Sequence, residues 1–411
     1  MRILIAAEAL GTIGGAESYA LTVAEHLERL GHDVWLWAIE HGEAADRARE
    51  RALRVLEAGE APDEEPDAVL AQDAVASLAA AESHPRSPQV FVAHSDYYDK
   101  FLPPQVPGVV AAVVAMYDRV ERRVRATAVR AEVARMTQPI DTARFRPLRT
   151  LPDRPRRGLA LGHYHFGERL ERLRRACSAA GVELSHVGMH GASERRPIEL
   201  VYNDADVVFG KGRVVHEAMA CGRAAYVYDY NGGDGWVTRE SYPELVADNF
   251  GGQTAARVLD EGQLAADIAG FDPGMGLVNR DLAVRHHAAT DHAAALVDLL
   301  GRLAPRSPTV DAPLDELARS IRVMHRAQAW AALHERELGR LADAEQRETG
   351  VATHMARHAD DLTERLHAAE DRARAAEEAL AEVREPRRGR PVRRALRRLG
   401  RARIGARGSK A

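Results

Sequence analysis

The chain has 411 residues, with 57 Lys and Arg against 61 Asp and Glu and a formal charge of −4, long enough for two domains and an appendage. Eleven of the basic residues and no acidic ones fall between Arg387 and the C-terminus, so the near-neutral total is an acidic body carrying a basic tail. Two cysteines, Cys177 and Cys221, argue against a disulfide framework and suit a reducing cytosol. No uncharged apolar run reaches the roughly 18 residues needed to span a bilayer, and Met1–Ala7 reads as a strand and not as a signal peptide.

Residues 1–146 alternate strand-like and helix-like segments. Arg2–Ala7 is an apolar run of the buried-strand type. A glycine loop, Gly11–Gly15, follows, then a helix over 16–30 closed by Gly31 and a strand over 33–39. Gly42–Asp67 is charged and punctuated by proline, and is expected to include a mobile excursion. Further strands are predicted at Gln89–Ala93 and Val109–Ala115. Strands interleaved with helices imply a parallel, doubly wound sheet. Asp118 and Arg119 follow the last of these strands near the expected cleft and are given no role.

Pro139–Pro155 is rich in Pro and Arg and is taken as the interdomain linker, with domain bounds that leave 147–156 between the two units. A second alternating unit, 157–305, contains strands at Gly158–Leu161, Gly181–Val187, Ala205–Phe209 and Ala224–Asp229, with a helix over 166–180. Two such units enclose a cleft, and ligands bind beyond the carboxyl ends of their strands. Within the second unit, Phe209-Gly-Lys-Gly-Arg-Val-Val-His-Glu-Ala-Met-Ala-Cys-Gly222 leaves a strand, turns through two glycines and starts a helix. Unpaired N–H groups and the positive end of a helix dipole gather at such a start, beside Lys211 and Arg213, which suits a diphosphate. Glu217 lies four residues beyond Arg213 on the same helix face, where it can grip a hydroxyl.

Beyond Pro308 the composition becomes helical. In 312–385, Ala352, Met355, Ala359, Leu362, Leu366, Ala369, Ala373, Ala376, Leu380 and Val383 step by threes and fours as a heptad seam. The seam predicts a coiled coil that mediates self-association; a solvated single helix is the alternative. The basic tail, 386–411, either lies as a short helix on an anionic membrane surface or is disordered. Without aromatic residues it is not expected to bind nucleic acid.

Three stretches give the chain a resemblance to retaining glycosyltransferases of the GT-B fold, family 4 in particular. Met1–Glu17 resembles that family's strand and Gly-Gly-x-Glu loop. Gln138-Pro-Ile-Asp-Thr-Ala-Arg-Phe-Arg-Pro147 resembles the segment that closes the first domain, and Glu217-Ala-Met-Ala-Cys-Gly222 the family's second-domain helix. The resemblance spans residues 1 to about 300. It implies two Rossmann-like α/β domains, a nucleotide-diphosphate sugar donor, a glycan or lipid-linked acceptor, and transfer with retention in cell-surface polysaccharide or glycoconjugate synthesis. It further implies an enzyme without a cofactor; the cysteine usage and the basic tail add the expectation of a cytoplasmic location, peripheral at the inner face of the membrane if the tail binds it.

By resemblance, Gly14, Gly15 and Glu17 approach the donor, Glu217 accepts from its ribose, and Asn231, Gly232 and Gly233 form a donor-side turn, although an ordinary Gly-rich turn fits the last three as well. His94, at the end of a strand, is a candidate for the reacting sugars. The sequence also departs from the family. Phe209 replaces the glutamate expected eight residues before Glu217, and His163 stands where an arginine is usual, with no lysine nearby. Lys211 and Arg213, flanking Gly212, are therefore expected to carry the diphosphate charge and to stabilise the leaving group. His163, His165, His186 and His190 fit no compact ligand set, and no metal is expected. A nucleotide-sugar-binding protein without transfer, and a scaffold acting through its helical tail, are the competing readings.

Overall fold

A computed structural model describes the chain except for residues 59, 61, 63, 163–164, 189–195, 230–231, 307–309, 311, 346–351 and 385–411, and except for the side chains of 332–333, 335–345, 352–361 and 379–384. His163, Asn231 and the basic tail therefore lie outside the described residues.

The first sheet contains β1 (Arg2–Leu10), β2 (Asp33–His41), β3 (Ala68–Ala71), β4 (Gln89–Ala93), β5 (Ala112–Ala115) and β6 (Glu132–Arg135), in the order β2-β1-β3-β4-β5-β6. All its pairings are parallel. Its helices are α1 (Gly15–Arg29), α2 (Glu43–Glu50), α3 (Ala74–Ser83) and α4 (Asp118–Arg125). Strands covered on both faces must be apolar on both faces, and Ile3, Leu4, Ile5 and Ala6 are accordingly all buried. The segment expected to be partly mobile carries α2, and residues 54–56 bond along β2 at Leu36.

A second sheet holds β7 (Arg157–Leu161), β8 (Glu183–Val187), β9 (Val207–Gly210), β10 (Ala224–Asp229) and β11 (Gly232–Trp236), in the order β11-β10-β9-β7-β8. Only β11 is antiparallel to its neighbour. Its helices are α5 (Gly167–Ala179), α6 (Ile198–Asp204), α7 (Arg213–Ala220), α8 (Tyr242–Ala247), α9 (Glu261–Ala269) and α10 (Met275–His287), followed by α11 (Ala289–Gly301). Hydrophobic clusters cover both faces, one around Val208, Met219 and Tyr242 and the other around Phe209, Leu173 and Tyr226. The architecture is thus α/β with two Rossmann-like sheets. The described part of the glycine segment expected as a turn, Gly232–Gly235, is strand, because β10 supplies its hydrogen-bonding edge.

The Pro-rich connection has no regular structure but is pinned throughout. Arg280 donates to the carbonyls of Thr142 and Phe145, Asn203 holds Arg146 and Leu148, and the fully buried Arg223 reaches Arg149 O. Beyond α10 the chain crosses back: Ile140 exchanges backbone hydrogen bonds with His287 and Ala289, and α11 packs on α1.

A separate compact unit comprises residues 98–100 and 311–411. It contains α12 (Leu314–Glu345) and α13 (Ala352–Arg384), which pack on each other. The seam residues Leu362, Ala369 and Ala376 are buried, so within one chain α12 already covers part of the predicted seam. No described helix is long and apolar enough to cross a membrane.

Candidate functional site

In an open parallel sheet, ligands bind where the strand order reverses, because neighbouring loops diverge there and leave a crevice. In the first sheet the order reverses at β1 and β3, whose carboxyl ends lead into the Gly11–Gly15 loop and Gln72–Asp73. In the second sheet it reverses at β7 and β9, and β9 leads into Gly210–Gly212. Both motif loops singled out in the sequence therefore lie at switch points.

The start of α1 is closed by its own sequence. Glu17 folds back, and its Oε2 accepts from Gly14 N at 3.0 Å. A Cβ on Gly14 would meet that oxygen at 2.7 Å, so a larger residue there would push the Glu17 carboxylate off its cap. Gly15 begins the helix with open space around it. One turn on, Tyr19 is completely buried, and its hydroxyl meets His292 Nε2 at 2.9 Å.

The start of α7 depends on Gly212, whose φ of +52° and ψ of −127° suit glycine alone. Its N–H donates to Phe250 O at 3.0 Å. Arg213 Nε donates to Glu217 Oε1 at 2.7 Å, and the other carboxylate oxygen accepts from Tyr202 Oη at 2.9 Å. Arg213 also donates to Pro139 O at 3.3 Å and to Thr22 Oγ1 on α1 at 3.0 Å. The expected diphosphate cation is thus a tie between the two domains, and the expected ribose acceptor is its counter-ion. Lys211 is half-buried beside this turn and also has partners of its own. Phe209 is fully buried against Tyr226, with ring centroids 5.5 Å apart, so the position where the family has a glutamate presents no polar group.

His94 lies at the end of β4, between the edges of Tyr19 (5.1 Å) and Phe101 (5.9 Å), with Nε2 2.8 Å from Gln72 Oε1. Burial, reinforced by the Arg213 cation, pushes its pKa down to about 3, so the ring is neutral at physiological pH. His292 and His287 are likewise pushed down to about 4, chiefly by burial. The structure thus brings Tyr19, His94 and Arg213 together with the α1 and α7 starts. Gly232 and Gly233 belong to β11, where Gly233 pairs with Arg257 through the backbone.

Several site-forming residues carried no sequence signal. Tyr19, Thr22, Gln72, Tyr202 and His292 resemble ordinary helix or strand-end residues until the fold places them. Arg119 links the domains a second time, pairing with Asp96, Asp248 and Gln253. Asn249 and Phe250, next to Asp248, both have positive φ (54° and 53°), a strained pair that tertiary contacts must hold. Among the described residues, one group with metal-ligand spacing exists, Glu25, His26 and Asp141. Its acids are already met by Arg51 and Arg29, which leaves little charge to draw a cation.

No protein-family model matches the sequence, and no curated protein matches it. Among solved structures the chain is similar to MurG of Acinetobacter baumannii, at 14% identity over 74% of this chain and 99% of that one, with a TM-score of 0.40. It is similar to CalG4, the calicheamicin glycosyltransferase, at 14% identity over 74% and 99%, with a TM-score of 0.43. It is also similar to WaaG, a glycosyltransferase involved in lipopolysaccharide biosynthesis, at 12% identity over 74% and 100%, with a TM-score of 0.46.

Proposed function

We propose that the chain is a glycosyltransferase that moves a sugar from a nucleotide-diphosphate donor to a glycan or lipid-linked acceptor. The observation that carries this reading is the coincidence of the two motif loops with the two switch points, joined by the Arg213–Thr22 contact. On this reading the donor diphosphate meets the Gly210–Gly212 turn, Lys211 and the α7 N–H groups. Arg213 leaves Thr22 or Pro139 to share the new charge. Preorganised donors of this kind stabilise a leaving diphosphate without a protein base, and the leaving oxygen takes the acceptor's proton on the same face, with retention. Glu217 offers a hydroxyl acceptor, and Gly14, Gly15 and His94 face the reacting sugars. His163, Asn231 and the tail's placement on an anionic membrane stay within this proposal, as does a cytoplasmic role in cell-surface glycan synthesis.

A nucleotide-sugar-binding protein without transfer is the second reading. Buried Phe209 and the mutual engagement of Arg213 with Glu217 favour it. Screening a panel of nucleotide sugars for binding, donor hydrolysis and transfer separates the two. Turnover that is lost in a Lys211→Ala, Arg213→Ala double variant that still unfolds cooperatively in urea supports the transferase. Binding without turnover supports the second reading, and absence of binding across the panel sinks both.

A further inference from the structure

Gln72 follows β3 at the first-sheet switch point and is only 2% exposed. Its Nε2 donates to the carbonyl of Leu70 at 3.2 Å. A carbonyl can only accept, so the amide group must face Leu70 with its NH2, and its oxygen must face the other way. That oxygen lies 2.8 Å from His94 Nε2 and can only accept, so Nε2 must carry the proton. In a neutral imidazole the other nitrogen then holds a lone pair. His94 Nδ1 has no hydrogen-bond partner among the described residues and is not among the sealed, unpartnered atoms. Edge contacts from Tyr19 and Phe101 hold the ring plane.

We infer that Gln72 is a positioning residue that locks His94 in the Nε2–H tautomer, so that Nδ1 is presented as a fixed hydrogen-bond acceptor for a ligand hydroxyl. An acceptor at this point selects hydroxyl donors and disfavours ionised phosphate oxygens, which would set lone pair against lone pair. The hydroxyl assignment rests on the nucleotide-sugar reading above; the tautomer does not.

The test uses the full chain labelled with 15N-histidine, with the His94 signals identified by their loss in His94→Asn. Long-range 1H–15N spectra at neutral pH are expected to show a protonated Nε2 and an unprotonated Nδ1. Gln72→Leu is expected to lose this tautomer, and Gln72→Glu, whose carboxylate also accepts, to keep it, with the His292 and His287 signals unmoved as evidence of folding. A protonated Nδ1 in the unaltered protein overturns the inference, as does an unchanged tautomer in Gln72→Leu. For a nucleotide sugar that binds in the panel, Gln72→Leu is expected to weaken binding about fivefold, the worth of one ordinary hydrogen bond. Affinity for the corresponding nucleoside diphosphate should hold. Equal loss for both overturns the hydroxyl assignment. Absence of binding across the panel overturns the nucleotide-sugar reading and the hydroxyl assignment with it, while the spectra still decide the tautomer.

Discussion

Arg213 and Glu217 form a nearly buried ion pair, Nε to Oε1 at 2.7 Å, one helical turn apart, with side chains 12% and 11% exposed. The pair is tied outward by Thr22 and inward by Tyr202. Removing one partner leaves a desolvated charge, which costs more than the pair itself contributes. Arg213→Ala is therefore expected to destabilise the chain by about 3 kcal/mol. Arg213→Lys should recover part of that, since lysine supplies charge without the planar fork. Urea midpoints check both, and a loss under 1 kcal/mol, a surface pair's typical worth, would show that the tie is incidental.

Stability should also depend on pH through the interdomain histidines. His287 and His292 are pushed down to about 4, while an unfolded histidine titrates near 6.5. Between these values the unfolded chain binds more protons, so stability falls as pH drops from about 6.5 toward 4. Each group contributes a slope of up to about 1.4 kcal/mol per pH unit. Urea midpoints at neutral and mildly acidic pH measure it, and His287→Gln with His292→Gln should flatten the curve.

Gly212→Ala tests the second-domain turn. A Cβ there would make only ordinary contact with Asn249, at 3.8 Å, but the backbone conformation is not available to alanine. A cost of about 1–3 kcal/mol is expected, together with loss of nucleotide binding. An alanine variant that binds as well as the parent would separate the turn from the donor site.

Arg119→Ala removes the second link between the domains, to Asp248 and Gln253. The strained Asn249–Phe250 pair then loses a support, and hydrogen exchange over 248–253 should accelerate with little change elsewhere. Uniform protection in parent and variant would show that the Phe250 O to Gly212 N bond holds the loop alone.

Both α/β units were legible in the sequence because buried parallel strands are written as apolar runs next to glycine turns. Boundaries of β1, β2 and β7–β10 fall within a few residues of the expected ones. β6 escaped notice because Glu-Val-Ala-Arg is half-exposed and makes no apolar run, β3 because its four residues follow directly on the charged 42–67 segment, and β11 because Gly-Gly-Asp-Gly-Trp exists as a strand only through its pairing with β10. The heptad seam was readable along α13; that α12 covers it was not, since the pattern marks an apolar stripe without naming its partner.

The sequence by itself determined the two-sheet architecture, the glycine turns ahead of α1 and α7, and the presence of charge at the second turn. These features are local: strand apolarity, glycine conformation and helix starts act within about ten residues. Only the tertiary structure decided what that charge does. Arg213 meets Thr22 from 191 positions away, and His94, just past β4, faces the amide of Gln72, just past β3. Hydrogen bonds between distant segments depend on how helices and strands are packed, and no run of neighbouring residues encodes them.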